Sequence, residues 1–349
     1  MRSSISIAGR PIGRDHEPYV ICELSANHNG SLERALKLLE AAAATGADAI
    51  KIQSYTPDTI TIDHDGPGFR IEGGLWDGRT LYDLYGEAQT PFEWHEALFR
   101  RARELGMTLF STPFDESAVD LLEQLAVPAY KIASFEAIDL PLIAYVAAKR
   151  KPMIISTGMA NLDEIGEAVR TARENGCDEI VLLHCVSSYP APDEQSNVRT
   201  VPDLAERFGV ISGLSDHTFG SAVTVASIAL GGCVVEKHFT LARSDGGPDA
   251  AFSLEPEEFK TLVQDCKRAW LSLGRPTYDL QGCEKGSVAF RRSVYVVRDV
   301  RAGEELTREN VRSIRPGHGL PPKHLPEVLG RRAARDLKRG EPLAWDALA

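Results

Sequence analysis

Two lysines interrupt runs that are otherwise apolar: Lys51 in AIKIQS and Lys131 in AYKIA. Buried strands seldom carry an ionisable side chain without a partner, so each lysine serves either a structural ion pair or a pocket for an anion. Ser134 directly follows the Lys131 run, and hydroxyls at Thr112, Ser156 and Ser215 end or directly follow three further runs of the same kind. They favour the pocket, because lysine supplies point charge while hydroxyls supply fixed donors. Glu23 in YVICELS is a candidate general base or hydroxyl acceptor, or else the salt-bridge partner of a lysine. His217 in GLSDHTFG and His238 in VVEKHF follow consecutive runs, each beside a carboxylate, Asp216 or Glu236. Two imidazoles with open positions suit a Lewis-acid divalent ion better than a closed structural zinc. His184 and Lys237 complete the set of polar residues ending such runs. His28, in the polar turn SANHNGS, either orients hydroxyls or caps a helix. His95 in PFEWHEALF is expected at the surface, and His16, His64 and His324 lie in polar loop contexts without a role. Tyr189, in the Pro-rich YPAP, is free to pack on a substrate.

These residues need a frame that brings them together. Strands are expected at 19–25, 49–54, 108–112, 129–133, 153–156, 180–184, 210–214 and 234–238. Segments such as LERALKLLEAAAATG and DEIGEAVRTARENG lie between them, with apolar residues at i, i+3, i+4 and i+7 and a closing Gly. Strands alternating with helices of this length build parallel βα units. Eight of them predict an α/β fold, a (β/α)8 TIM barrel whose strand ends gather at one mouth, with an open doubly wound sheet as the other possibility. The long Gly- and Asp-rich stretch 55–90 after the second strand is expected to shape that mouth. Periodicity stops after Gly274. The reading is a barrel over 1–274, a linker over 275–289 and a compact β-containing module over 290–349.

The 349 residues carry a net charge of −11, which argues against nucleic acid as the main partner. The balance is uneven: residues 1–289 are net −16 and residues 290–349 net +5. No run of about 18 apolar residues suggests a membrane span, and the N-terminal sequence lacks the apolar core of a leader, so a cytoplasmic protein is expected. Six scattered cysteines without a C-x-x-C pair read as reduced core thiols.

In order and spacing, SANHNG, KIQSYTPD, STPFD, YKIASFE, ISTGMA, SSYPAP, GLSDHT, EKHFTL and GPD resemble the sialic acid synthases. The resemblance spans nearly the whole chain. It implies a metal-dependent barrel followed by an antifreeze-like (SAF) domain, and condensation of phosphoenolpyruvate with an open-chain acetamido hexose to give a nine-carbon 2-keto acid and phosphate. By motif, Lys51, Thr112, Lys131, Ser134, Ser156, Ser187 and Ser215 would hold phosphoenolpyruvate. His217 and His238 would hold the metal, Mn2+, Mg2+ or Co2+. Glu23 and Glu236, with Lys51 and Lys131, would serve the chemistry, and Gln53, Tyr189 and Asp249 would contact the sugar. Arg315, in IRPG, would reach the site of the other subunit in a domain-exchanged homodimer. GLWDGRTLYDLYGEAQTPFEWH, SSYPAP and DGGPDAAFSLEP resemble the pseudaminic acid branch, whose sugar is 2,4-diacetamido-2,4,6-trideoxy-altrose, with the N-acetylneuraminate and legionaminate branches as alternatives. Trp76, Tyr82 and Tyr85 of the insertion are candidates to receive that less polar sugar. A different barrel lyase or aldolase, or a non-catalytic sugar-binding protein, are the rival readings.

Overall fold

The computed structural model describes residues 4–349, in two compact units, the first ending at Gly274 and the second starting at Arg275. The first opens with an antiparallel hairpin, β1 (Ser4–Ile7) and β2 (Arg10–Gly13), in which Ile5 faces Ile12 across the pair. Ile5, Ile7 and Ile12 are buried in the main core. The strand reading of the sequence omits this hairpin, although S-I-S-I followed by Ala-Gly carries a period-2 pattern and a turn.

Eight parallel strands then close into a barrel, with the last pairing to the first. They are β3 (Tyr19–Glu23), β4 (Ala49–Ser54), β5 (Thr108–Pro113), β6 (Tyr130–Ile132), β7 (Met153–Ser156), β8 (Ile180–Cys185), β9 (Ile211–Asp216) and β10 (Val234–His238). Each is a short apolar run buried on both faces, as a parallel sheet wrapped in helices requires. The helices are α1 (Leu32–Ala44), α4 (His95–Glu104), α5 (Glu116–Gln124), α6 (Leu140–Ala147), α7 (Leu162–Glu174), α8 (Thr200–Phe208), α9 (Ala222–Ala229) and α10 (Pro256–Leu273), with α2 (Pro57–Ile60) and α3 (Leu81–Ala88) inside the long insertion after β4. Side chains set where several begin. Ser31 accepts from the Arg34 N–H, Asp115 from Ser117 and Ala118, Asp139 from Leu142, and Asn161 from Asp163 and Glu164. Close packing is tightest at Gly213 on β9, where a Cβ would lie 2.0 Å from the Val234 carbonyl oxygen of the neighbouring strand.

The second unit has its own core around Val294, Val296, Leu306, Val311, Leu337 and Leu343. Its two-stranded sheet pairs β11 (Ser293–Val296) with β12 (Val311–Ile314), and α11 (Leu325–Val328) follows. Within the stretch expected to be a patternless linker, a 3-10 helix runs from Gly282 to Phe290, with every residue exposed. Among the described residues, no helix is long and apolar enough to cross a membrane. Five of the six cysteines are buried free thiols and Cys283 is exposed, so the expectation of core thiols fails at that one position.

Candidate active site

Side chains alternate along a strand, so one parity of each barrel strand points into the lumen. At the C-terminal ends that parity belongs to Glu23, Lys51, Gln53, Thr112, Lys131, Ser156, Cys185, Ser215, Glu236 and His238. They meet across the barrel. Lys51 Nζ lies 2.7 Å from Glu23 Oε2 and 3.3 Å from Glu236 Oε1, and it donates to Thr112 Oγ1 at 3.1 Å. Lys131, on a strand that does not neighbour β10, still comes within 3.9 Å of Glu236 Oε1 and donates to the Ile132 carbonyl at 3.1 Å.

The ion-pair reading of the two lysines holds: both are paired with carboxylates at the C-terminal ends of the strands. Two cations and two carboxylates leave the cluster near neutrality, so an incoming anion finds positive charge already committed. Burial splits the carboxyls. It pushes Glu23 up despite the Lys51 ammonium. It opposes the charge of Glu236 too, but Lys131 and Lys51 override it and hold that carboxyl below the usual range. Burial likewise pulls Lys131 down, whereas Glu23 and Glu236 outweigh it for Lys51, which stays up.

Beside the lysines is a cradle of hydroxyls. Ser134 and Ser187 close over Gly158, where a Cβ would sit 2.9 Å and 2.3 Å from their respective Oγ atoms. Ser156 Oγ is buried without a hydrogen-bond partner, and Ser215 is buried next along the wall. The unfilled Ser156 hydroxyl and the two ammonium groups suit phosphate and carboxylate oxygens, while Ser187 Oγ lies 3.7 Å from Cys185 Sγ.

His217 and His238 face each other with ring centroids 5.3 Å apart. His217 Nδ1 lies 3.1 Å from the Val186 carbonyl, which fixes that nitrogen as a donor and makes Nε2 the ligating nitrogen of the neutral ring. His238 Nδ1 is buried without a partner, and burial, reinforced by His217, keeps this ring neutral by pulling it well below its ordinary value. Burial opposes charge on His217, but Cys185, whose Sγ lies 3.8 Å from His217 Nδ1, outweighs it and lifts this ring above its ordinary value, so His217 would shed a proton on accepting a divalent ion beside the neutral His238. Among the described residues, no group of three or more His, Cys, Asp or Glu is arranged to hold such an ion, so one bound here would have two histidine ligands and open positions.

Next to the histidines is a cavity of about 330 Å³. Its polar side carries Gln53, which donates to Glu23 Oε1 at 3.1 Å, and Asp249, which accepts from the Ser25 hydroxyl and from the Ala26 N–H at 3.2 Å. Tyr189 lies against His217, with centroids 4.4 Å apart. An aromatic side is made by Tyr55 with Tyr85 and Phe114, ring centroids 5.9 Å and 5.0 Å away, while Trp76 stands by Tyr189 with its Nε1 anchored to the Pro248 carbonyl at 3.0 Å. Tyr82 does not join this wall; it is exposed and hydrogen-bonds Asp58. A larger open groove of about 690 Å³ lies at the opposite end of the strands, near Arg14, Ile211 and Cys233, away from every residue discussed so far.

Four sequence expectations change. Lys237 and Asp216 have the outward parity and form a structural pair, 2.8 Å apart, under α9. His184 also points out of the barrel, to the Ser196 carbonyl at 2.7 Å, while Cys185 takes the inward place. His95 is fully buried rather than at the surface, its Nε2 2.6 Å from Ser54 Oγ. His28 is a turn residue: it accepts from the Gly30 N–H and stands edge-on to Trp94, and burial holds it down at about 4. Ser25, Tyr55, Phe114, Glu136 and Cys185 were missed. Strict alternation from Ser156 and Glu236 would have found Cys185; the others sit on loops, where no period applies. Arg315 directly follows β12 in the second unit and is exposed.

Comparison with known proteins agrees with this architecture. A family model described as the NeuB family matches residues 38–278, and a SAF domain model matches residues 291–349. The chain is 44% identical to the pseudaminic acid synthase of Campylobacter jejuni, over 94% of this chain and 96% of that one. It is 35% identical to the N,N'-diacetyllegionaminic acid synthase of Legionella pneumophila, over 99% of both. The crystal structure of the spore coat polysaccharide biosynthesis protein SpsE from Bacillus subtilis superposes with a TM-score of 0.67 at 32% identity, covering 99% of each chain. A barrel whose lysines and hydroxyls meet at one mouth, followed by a SAF domain and matched over most of its length, places the chain in the NeuB family.

Proposed function

We propose that the protein is a pseudaminic acid synthase. It joins C3 of phosphoenolpyruvate to the aldehyde carbon of open-chain 2,4-diacetamido-2,4,6-trideoxy-altrose, adds water at C2 and releases phosphate. The likeness to the Campylobacter jejuni enzyme, stronger than that to the legionaminic acid enzyme, carries the choice of sugar. The site's geometry supplies the means.

Lys51 and Lys131 receive the phosphate and carboxylate of phosphoenolpyruvate, and Ser134, Ser156, Ser187 and Ser215 donate to their oxygens. The trianion displaces part of the lysine–glutamate pairing, which loosens both carboxylates for proton transfer. Glu23, the carboxyl pushed up, takes a proton once Lys51 turns to the trianion, and from its place beside Gln53 and Ser25 delivers it to the oxyanion left when the aldehyde carbon is attacked. Glu236, the carboxyl held down, accepts the proton of the water that adds at C2. The resulting tetrahedral carbon bears a hydroxyl and a phosphate, and it collapses by C–O cleavage to the keto acid and inorganic phosphate. Gln53, Asp249 and Tyr189 orient the sugar. His217 and His238 would hold Mn2+, Mg2+ or Co2+, which when bound supplies Lewis-acid polarisation of the aldehyde oxygen.

The working form in this reading is a cytoplasmic homodimer, with the SAF unit and Arg315 of one copy over the partner's barrel mouth. Support comes from the exposed apolar side chains Phe135, Ile138, Met159 and Phe219 on the loops of that mouth, from the opposite net charges of the two regions, and from free thiols suited to a reducing compartment. The test is phosphate release from phosphoenolpyruvate and Mn2+ with the diacetamido sugar or with N-acetylmannosamine. No phosphate from either sugar sinks the reading, and turnover of N-acetylmannosamine alone moves the protein to the neuraminate branch. Label from bridging-18O phosphoenolpyruvate must appear in phosphate.

A further inference from the structure

One polar atom in the sugar cavity has no use in the chemistry above. Glu136 lies on the loop after β6 and lines the cavity together with the aromatic cluster of Tyr55, Tyr85 and Phe114. Its Oε2 is enclosed and has no hydrogen-bond partner. The carboxyl and the Tyr85 phenol sense each other, since Glu136 raises the phenol in addition to burial. A carboxylate oxygen kept dry and unpaired against aromatic faces is costly unless a ligand supplies the missing donor.

We propose that Glu136 is the specificity residue for the acetamido group remote from the aldehyde, accepting its N–H while the acetyl methyl packs on Tyr55, Tyr85 and Phe114. This rests on the synthase reading above. The reacting carbonyl must lie at the polar side, beside His238, Asp249 and the lysines. The acetamido group next to it on C2 then stays near that polar side, and the one on C4 extends to the aromatic side. An amide N–H followed by a methyl is the chemical pair this side offers to satisfy, one acceptor in an apolar ring. N-acetylmannosamine lacks that second amide and would leave the acceptor unpaired, which is how a site built to bond a group rejects analogues without it.

The experiment measures kcat and KM for both sugars in the wild type, Glu136→Gln and Glu136→Leu, with phosphoenolpyruvate affinity by calorimetry as the check that the site is folded. Expected is a rise in KM for the diacetamido sugar of about 10-fold for Gln and about 100-fold for Leu, with kcat and phosphoenolpyruvate affinity little changed and the preference over N-acetylmannosamine collapsing. Equal losses for the two sugars, a fall confined to kcat, or no change in preference would each overturn the inference. A wild type inactive with the diacetamido sugar would instead remove the synthase reading, and this assignment with it. Direct binding of that sugar to wild type and not to Glu136→Leu would still separate the two.

Discussion

Glu236 and Lys237 are adjacent on one strand, as are Ser215 and Asp216 on the next, yet the inner and outer pairs belong to different kinds of network. Outside the barrel, Lys237 Nζ meets Asp216 Oδ2 at 2.8 Å and the Thr218 carbonyl at 2.6 Å. Asp216 is further bonded by the Thr218 N–H, the Thr218 hydroxyl and the Thr224 hydroxyl. Inside, Glu236 Oε2, Ser156 Oγ and His238 Nδ1 are buried with nothing bonded to them. One cluster is complete in the folded chain, and the other is completed by something that arrives. Buried charge alone does not identify a site; unfinished hydrogen bonding around buried charge does.

That contrast is broken most directly by removing one lysine from each network. Lys131→Met should lower kcat/KM at least ~10³-fold, with a modest change in thermal stability because the pocket-facing Glu236 can take up a proton or water. Lys237→Met should do the reverse. It strands Asp216 and costs about 3–5 kcal/mol, read by denaturant unfolding, while the molecules that remain folded keep their turnover. If both variants fail in the same assay, the division is wrong. Metal removal comes next: EDTA should abolish activity, Mn2+ should restore it, and His217→Ala or His238→Ala should not be rescued. Turnover unaffected by EDTA would dispense with the metal.

A third test uses pH. Burial lifts the Glu136 carboxyl from 4.5 to about 7, against weaker opposing pulls from Lys131 and Lys51 and a push from Asp139, with the Tyr85 phenol nearby. The folded state thus binds this proton more tightly than the unfolded chain, so the cost of charging it is absent below about pH 4.5 and complete above about pH 7. Glu136→Gln should therefore stabilise the protein by up to ~3 kcal/mol at pH 8, with most of that gain gone at pH 5, as melting at the two pH values would report. The smallest effects come from hydroxyls. Thr224→Val should cost about 1–2 kcal/mol and leave the phosphoenolpyruvate KM alone, whereas Ser156→Ala should raise that KM several-fold at nearly constant stability.

The barrel was legible because eight apolar runs at helix-length spacing admit few arrangements, and the strands start and stop within two residues of the expected positions. The charged floor was legible for a related reason, since a lysine inside such a run announces itself. Parity was harder. Choosing His184 and Lys237 as mouth residues took the end of each run without counting which face it shows, and the neighbours Cys185 and Glu236 hold the inward places. His95 was misplaced because its helical context gave no sign that Ser54, on β4, would meet it. The aromatic wall and Glu136 were the least visible, since loops have no period and their contacts are made only after the barrel closes.

Gly158 has a consequence for mutational tolerance. It stands on a mouth loop, where a saturation library would be expected to accept many residues. A methyl group there would meet two hydroxyl oxygens, Ser134 Oγ and Ser187 Oγ, which can rotate aside, and Ser134 Cβ at 3.2 Å, which must give by a few tenths of an ångström. Alanine should therefore pass a screen for folded, soluble protein and fail a screen for phosphate release. Scored by abundance the position would look permissive, and scored by growth it would look invariant.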